Sequence, residues 1–196
     1  HKSPRVAAEQ LRLGAVGLTC ATLQEAEVMS SVCNDLLLAY PPVGAARLER
    51  MARLPAHVRV AVAVDDPAVL PALGLAATLG GRTFDIMAEV DVGMHRVGVT
   101  TPGRAVAIAR AASDTKGLTY RGLLFYPGHI REAVDQQGSA LQALGATLAT
   151  YIEALTDAGL PPTVVSGGST PAAWRFHEVR DRSRMPCSSD MRDTIT

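Results

Sequence analysis

The chain has 196 residues, of which 47% are hydrophobic and 19% are charged. This is the composition of a globular domain and excludes a disordered chain. The 19 basic and 19 acidic residues cancel, so neither a nucleic acid nor an anionic membrane surface is expected as the main partner. The longest largely apolar stretch, residues 69–81, contains Pro71 and is too short to span a bilayer.

The cysteines predict the compartment. Cys20, Cys33 and Cys187 are an odd number and lack C-x-x-C spacing. A disulfide framework is therefore not expected, and a reduced, cytoplasmic location is predicted.

Helix-like and strand-like segments alternate along the chain. In chain order the pattern predicts a helix over residues 3–13, a strand over 16–21, a helix over 23–31, strands over 35–41 and 58–64, a helix over 66–80, a strand over 84–93, a helix over 102–116, a strand over 118–128, a helix over 137–158 and a strand over 163–169. Thr22 and Glu25 form a capping box, and Gly159 is a plausible C-cap. The nearly wholly apolar segment 58–64 predicts a strand covered on both faces.

Alternating strands and helices predict a parallel α/β architecture. Two arrangements fit the pattern, a doubly wound open sheet and a (β/α)8 barrel. A complete barrel typically needs about 250 residues, so six strands fit either an open sheet or a barrel that lacks a strand at each end. Residues 180–196 show neither a helical nor a strand pattern of apolar residues and are predicted to be a polar, disordered tail.

The most specific local signal is the run Ser166-Gly167-Gly168-Ser169-Thr170 after the last predicted strand. Paired glycines let the backbone approach a ligand closely, and N–H groups at the start of the next helical segment hold anions. A late βα loop is also where barrels commonly bind phosphate. The spacing alone leaves an ordinary glycine-rich turn, in which Thr170 caps the next helix, equally open.

A second candidate segment, residues 89–98, starts with acidic residues at the end of a predicted strand and contains His95 and Arg96. Charged residues at the carboxyl end of a strand lie at the active face of a barrel. The guanidinium of Arg96 offers a fork of donors to an anionic oxygen. The alternative is a structural loop, capped by Asp91, with Arg96 in a salt bridge.

A third candidate segment, residues 125–129, also follows a strand and contains Tyr126 and His129, which both donate or accept protons. A turn with a half-buried tyrosine is the alternative. The histidines show no H-E-x-x-H or other short paired spacing, so no metal ligands are predicted. The chain also lacks G-x-S-x-G and a G-x-G-x-x-G after its first strand.

These three segments, in this order, resemble the fold-type III pyridoxal-phosphate enzymes, whose barrel is the alanine racemase N-terminal domain. Within that group the chain resembles the D-threonine aldolase and D-serine dehydratase branch. The matching segments are residues 1–2, 14–29, 35–44, 89–99, 122–130 and 164–174. The resemblance implies a partial pyridoxal-phosphate-binding (β/α)8 barrel over residues 1–179 that lacks the first and last strands.

The resemblance also implies the cofactor, pyridoxal 5'-phosphate, and the residues that bind it. One run would hold the phosphate: Ser166, Gly167, Gly168, Ser169 and Thr170. Arg96 would lie near the phenolic oxygen or ring edge of the cofactor. Tyr126 would approach the pyridine ring, with His129 nearby.

The chain departs from the family pattern at both ends. The family lysine that forms a Schiff base lies in a segment that ends in His-Lys. If His1-Lys2 matches that ending, the Schiff-base lysine is expected two residues before His1, and no catalytic residue is predicted within this chain. The family's C-terminal domain, which carries the ligands of a divalent metal (Mn, Mg or Zn), has no counterpart in residues 180–196.

The implied activity is cleavage of a small D-β-hydroxy-α-amino acid to glycine and an aldehyde, by a lyase of which this chain is an inactive fragment. A homodimer is expected for the complete protein. The alternatives are a D-serine dehydratase-like lyase and a non-catalytic barrel that only binds the cofactor. A racemase is less favoured because Glu89 stands where many alanine racemases have a lysine.

Overall fold

The computed structural model describes residues 2–179, which form six strands and six α-helices. The strands are β1 (Leu18–Cys20), β2 (Asp35–Leu38), β3 (Arg59–Val64), β4 (Phe84–Val90), β5 (Leu118–Phe125) and β6 (Val164–Gly167). The helices are α1 (Pro4–Arg12), α2 (Leu23–Met29), α3 (Ala45–Ala52), α4 (Leu70–Leu79), α5 (Pro102–Asp114) and α6 (Gly138–Asp157). Segments Pro67–Val69, Val134–Gln136 and Thr170–Val179 are 3-10 helices. The predicted tail, 180–196, and His1 lie outside the described residues.

The order of the strands decides between the two predicted architectures. All six described strands are parallel and pair in chain order from β1 to β6. In a doubly wound sheet the order reverses at a switch point, and no reversal occurs among these strands. An order that follows the chain is that of a (β/α)8 barrel, so the prediction of an incomplete barrel is confirmed.

The side chains of the strands divide between two apolar clusters. Val60 and Val62 of β3 belong to the large cluster beneath the helices. Ala61 and Ala63, between them, pack with Met87 of β4 in a second, smaller cluster. Because successive side chains of a strand point to opposite faces, the small cluster fills the concave, inner face of the sheet.

Two predicted helix ends are confirmed. Thr22 Oγ1 accepts a hydrogen bond from the Glu25 N–H at 3.2 Å, and Glu25 Oε2 accepts one from the Ala21 N–H at 2.9 Å. This is a capping box whose return bond falls one residue earlier than in the standard motif. Gly159 follows α6 with φ +77°, as a C-cap glycine does.

No helix is predicted from the sequence between β2 and β3, but α3 lies there. It begins after Gly44, which has no side-chain oxygen to cap the first turn, and Met51 is its one buried residue. Leu48, Met51 and Ala52 share one face of this helix, but it is only eight residues long and has no capping side chain, so its sequence signal is weak. None of the helices in the described part of the chain is long and apolar enough to cross a membrane.

Charged side chains on the inner face connect distant strands near their amino-terminal ends. Arg121 of β5 donates to both carboxylate oxygens of Asp35 in β2, at 3.2 and 3.1 Å, and lies 3.6 Å from Asp85 of β4. Arg59 of β3 also pairs with Asp85. Since β2 and β5 are separated by two strands in the sheet, the Arg121–Asp35 pair spans its concavity and requires the sheet to curl.

Replacement of Arg121 by methionine should lower the free energy of unfolding by roughly 2–4 kcal/mol, because Asp35 and Asp85 would lose their shared cation while remaining partly buried. Urea denaturation measures the change. The control is Arg53→Met, which removes an exposed α3 pair with Glu49 and should cost less than about 0.5 kcal/mol. Equal effects of the two substitutions would contradict a special role for Arg121.

Candidate functional site

The carboxyl ends of the parallel strands meet at one edge of the sheet, and polar residues follow several of them. Asp65 directly follows β3, Glu89 is the penultimate residue of β4, and Tyr126 directly follows β5. Residues 166–170 comprise the last two residues of β6 and the turn that leads into the next 3-10 helix. Because barrels place their active sites at this edge, we take these residues as the candidate site.

Residues 91–99, the β4 loop, fold back onto the end of their own strand. The Asp91 N–H donates to the Val99 carbonyl at 3.0 Å, and the Val99 N–H donates to the Glu89 carbonyl at 2.8 Å. Gly98, with φ +100°, makes the return possible. A Cβ at this position would lie 2.5 Å from the Asp91 nitrogen, so only glycine fits.

Two side chains from elsewhere in the fold hold the β4 loop. Asp65 Oδ2 accepts a hydrogen bond from the Gly98 N–H at 3.0 Å. From the other side, the buried hydroxyl of Tyr151 in α6 donates to the Val99 carbonyl at 3.0 Å. The loop is therefore tied to β3 and to α6 as well as to β4.

Asp91 caps the interior of the β4 loop, as the structural alternative for this segment predicts. Its Oδ1 accepts hydrogen bonds from the N–H groups of Gly93 at 2.9 Å and His95 at 3.0 Å, and its Oδ2 lies 3.0 Å from His95 Nδ1. Burial disfavours the charged carboxylate, but the hydrogen bonds outweigh it and lower the pKa of Asp91. His95 has φ +52°, a left-handed conformation that the bonds to Asp91 hold in place.

Arg96 extends from the β4 loop over two aromatic rings. Its guanidinium carbon lies 4.8 Å from the ring centroid of Tyr126 and 5.9 Å from that of Tyr40. Among residues 2–179, no carboxylate lies within the 4.0 Å of a salt bridge. The predicted alternative of a structural salt bridge for Arg96 is therefore wrong within this range, and the cation is available to an anionic ligand.

Glu89 lies on the inner face of β4, near enough to Arg96 for its positive charge to act on the carboxyl group. It is 5% exposed. Burial and, to a smaller extent, the negative charge of Asp65 raise its pKa to about 7, against the opposing positive charge of Arg96. Glu89 thus carries a proton that exchanges near neutral pH, which is a property typical of functional carboxyl groups.

The run 166–170 presents hydroxyl groups without partners. Ser166 is 3% exposed and Ser169 is 6% exposed, and neither Oγ atom has a hydrogen-bond partner among residues 2–179. Burying a hydroxyl without a partner costs free energy, so the two groups are poised for oxygen atoms of a ligand. Ser166 belongs to β6 and also lines a cavity inside the sheet beside Thr19 and Arg121.

The two glycines of this run have different surroundings. A Cβ at Gly167 would lie 2.5 Å from atoms of the Phe125 ring, so the close approach of β5 and β6 requires glycine. A Cβ at Gly168 would meet nothing within 4 Å. The space above Gly168 is open, and a bound group has room there.

Tyr126 and His129 lie beside the β4 loop. The Tyr126 ring packs over Gly128, where a Cβ would be 2.2 Å from the ring, and the His129 ring lies against Gly93. Phe125, just before Tyr126, pairs with Gly167 in the sheet register. The structure therefore brings together all three predicted segments, with Arg96 and Tyr126 in direct contact.

Lys2 is held by an ion pair beyond the carboxyl end of β1. Its exposed ammonium group pairs with Glu25 Oε1 at 2.9 Å, near the start of α2. Within residues 2–179, no group of three or more His, Cys, Asp or Glu side chains is arranged to hold a metal ion.

Asp65, Tyr40 and Tyr151 are not among the site residues predicted from the sequence. Asp65 has a recognisable signal, an acidic residue directly after a buried strand. The contacts of Tyr40 and Tyr151 with the β4 loop join segments more than 50 residues apart, and no local pattern reports them.

Comparison with known proteins places this geometry in a family. The model of the alanine racemase N-terminal domain matches residues 1–185. The chain belongs to that family. Among relatives, this alanine racemase N-terminal domain chain is 35% identical to 3-hydroxy-D-aspartate aldolase of Paracoccus denitrificans over 175 residues, which are 87% of this chain and 45% of that protein.

Two solved structures of relatives superpose closely on this chain. D-threonine aldolase from Filomicrobium marinum superposes with a TM-score of 0.86 at 32% identity, over 91% of this chain and 49% of that one. D-threo-3-hydroxyaspartate dehydratase from Delftia sp. HT23 gives 0.74 at 35% identity, over 88% and 47%. The chain thus spans about half the length of the relatives it matches.

The stability of the domain should depend on the ionisation of Glu89. Its folded-state pKa of about 7 exceeds the unfolded value near 4.3, so Glu89 stabilises the fold most at low pH, and this contribution falls as the pH rises toward 7. Relative to Glu89→Gln, the wild type should lose roughly 2 kcal/mol between pH 5 and pH 8. Urea denaturation at both pH values measures this. The exposed control Glu49→Gln should show no such pH-dependent difference, and a pH-independent Glu89→Gln effect would refute the assignment.

Proposed function

We propose that this chain is the cofactor-binding barrel of a pyridoxal-phosphate-dependent lyase that acts on D-β-hydroxy-α-amino acids. One observation carries the proposal: the buried, unpartnered hydroxyls of Ser166 and Ser169 lie at the same strand edge as an unpaired Arg96. A phosphorylated aromatic aldehyde needs both an anion site and a cation near its ring. The family membership and the likeness to D-amino-acid aldolases support the same cofactor.

The residues present fit the phosphate. The Ser169 hydroxyl and the N–H of Thr170 would donate to its oxygens, whereas Pro171 has no N–H and the Ala172 N–H already donates to the Ser169 carbonyl. The open space above Gly168 would admit the phosphate. Ser166 would contribute from the end of β6. The anion would satisfy donors that are otherwise buried without partners.

The residues above the sheet fit the ring. Arg96 would hold the phenolic oxygen, and Tyr126 would hold Arg96 in place through its ring face. His129 would border the ring from the side of the β4 loop. When bound, pyridoxal phosphate would act as the electron sink for the carbanion at Cα of the substrate.

The names of the relatives suggest the substrate class and two reactions. The aldolases break the Cα–Cβ bond and support cleavage to glycine and an aldehyde. The dehydratase supports elimination of the β-hydroxyl as the second candidate. We further propose a cytoplasmic homodimer, with the Schiff-base lysine and any divalent-metal ligands supplied outside residues 2–179.

The anion site can be tested by binding. Ser169→Ala should weaken pyridoxal 5'-phosphate binding about 10-fold, since one hydrogen bond to a charged group is worth roughly 1.5–3 kcal/mol, while leaving pyridoxal binding nearly unchanged. Fluorescence titration of both ligands provides the measurement. The control is Ser113→Ala, in α5, whose hydroxyl already donates to the Ala109 carbonyl. An equal loss of affinity for both ligands would exclude a phosphate contact at Ser169.

The reaction can be tested with D-threo-3-hydroxyaspartate and the full-length gene product, supplied with pyridoxal phosphate and Mn²⁺. Cleavage of the Cα–Cβ bond would yield glycine and glyoxylate in equal amounts. Elimination would yield oxaloacetate and ammonia instead. We expect the first pair. The second pair would select the dehydratase reaction, and neither pair, with D-threonine also unchanged, would refute a lyase.

A further inference from the structure

Two carboxyl groups and one cation are stacked at the end of β3 and β4. The last registered pair of these strands is Val64 with Ala88, and the next residues are Asp65 and Glu89. The strand register therefore places the two carboxyl groups side by side. Apolar Leu124 is the partner of Glu89 on its other side, in β5.

The β4 loop brings Arg96 near enough to Glu89 for the two charges to interact. The loop is hydrogen-bonded at one point to the Asp65 carboxylate, through Gly98, and at another to the Glu89 carbonyl, through Val99. Arg96 precedes the first of these anchors by two residues. Its guanidinium is exposed and has no ion-pair partner in the described part of the chain.

The charges of this cluster do not balance when both carboxyl groups are ionised. Asp65 and Glu89 then carry two negative charges against the single positive charge of Arg96. An anionic group docked on Arg96 would add a third negative charge in a region where Glu89 is almost wholly shielded from water. Repulsion is relieved most easily by a proton on the more deeply buried carboxyl group.

We propose that Glu89 takes up a proton when the anionic oxygen of a ligand docks against Arg96. The proton binds a carboxylate oxygen of Glu89 and comes from solvent, and no covalent bond changes. The inference deepens the proposed function, on which it rests for the identity of the ligand: the phenolic oxygen of pyridoxal phosphate is the anion. Glu89 is in this sense a positioning residue, because its charge sets how strongly Arg96 attracts the ligand.

The groups that act on Glu89 make the linkage specific to neutral pH. Burial and Asp65 hold its pKa near 7, and Arg96 is the cation that opposes them. Once an anion neutralises Arg96, that opposition is lost and the pKa rises further. Because the pKa of Glu89 in the free protein is about 7, a fraction of a proton should be taken up at neutral pH, and almost none at pH 5.5, where Glu89 is already protonated.

Calorimetry counts these protons. Pyridoxal 5'-phosphate is titrated into wild type and Glu89→Gln in PIPES, MOPS and imidazole buffers, which differ in protonation enthalpy and lack primary amines. The dependence of the observed heat on buffer gives the protons exchanged. Wild type should take up measurably more protons per site than Glu89→Gln at pH 7, and the difference should vanish at pH 5.5. The exposed control Glu49→Gln should match wild type.

Two further measurements keep the test specific. Inorganic phosphate, which lacks the phenolic oxygen, should give equal proton counts in wild type and Glu89→Gln. Asp65→Asn keeps an oxygen for the Gly98 N–H but removes the second negative charge, so the proton-uptake curve should move to lower pH. This variant decides the question if Glu89→Gln does not fold, since an unmoved curve would overturn the proposal.

The outcomes separate the two claims. Tight pyridoxal phosphate binding with equal proton counts in wild type and Glu89→Gln would overturn the role of Glu89 and leave the proposed function intact. Absence of pyridoxal phosphate binding by wild type would overturn the proposed function, and the inference with it.

Discussion

The pairing of Arg121 with Asp35 and Asp85 is the interaction on which the shape of the sheet depends. A parallel sheet twists by itself, but closure into an arc also needs contacts between strands that are not neighbours. The side chain of Arg121 is 17% exposed, so its charge is stable only beside the carboxylates that it reaches across the concave face. The pairing of β4 with β5 shifts register between Ile86 and Met87, so that the backbone of Arg121 itself has no partner in β4. Charge and backbone irregularity together set the curvature.

The same sheet carries charge at its other end with a different consequence. At the amino-terminal end, cations and carboxylates are matched and fix the fold. At the carboxyl end, two acidic residues face a single exposed guanidinium, and two serine hydroxyls are buried without partners. The unsatisfied groups are concentrated where a ligand could satisfy them. Proteins tolerate such unsatisfied groups at a functional edge because stability is supplied elsewhere in the fold.

The sequence predicts much of this arrangement, for identifiable reasons. Strands such as β3 and β4 are continuous apolar segments with clear ends. The glycine-rich run at β6 predicts a close backbone approach to a ligand, and the structure shows that Gly167 instead makes room for Phe125, while the space at Gly168 is open. The choice between barrel and open sheet could not be made from periodicity, because both architectures give the same alternation; the family resemblance and then the strand order decided it. Helix α3 is short and lacks a capping side chain, so the sequence does not predict it. Asp65 and Tyr151 act on a loop far away in the chain, and only the folded structure shows such contacts.

The hydroxyl of Tyr151 has a consequence for how substitutions in α6 should be interpreted. The residue lies in a row of buried leucines, Leu141, Leu144, Leu148 and Leu155, and resembles an ordinary part of the helix–sheet core. Core packing alone would accept phenylalanine there. Yet the single oxygen atom that distinguishes the two residues ends on the backbone of the loop that carries Arg96. The substitutions that position 151 tolerates are therefore set by the β4 loop at the candidate site, although Tyr151 itself is buried in the helix–sheet core.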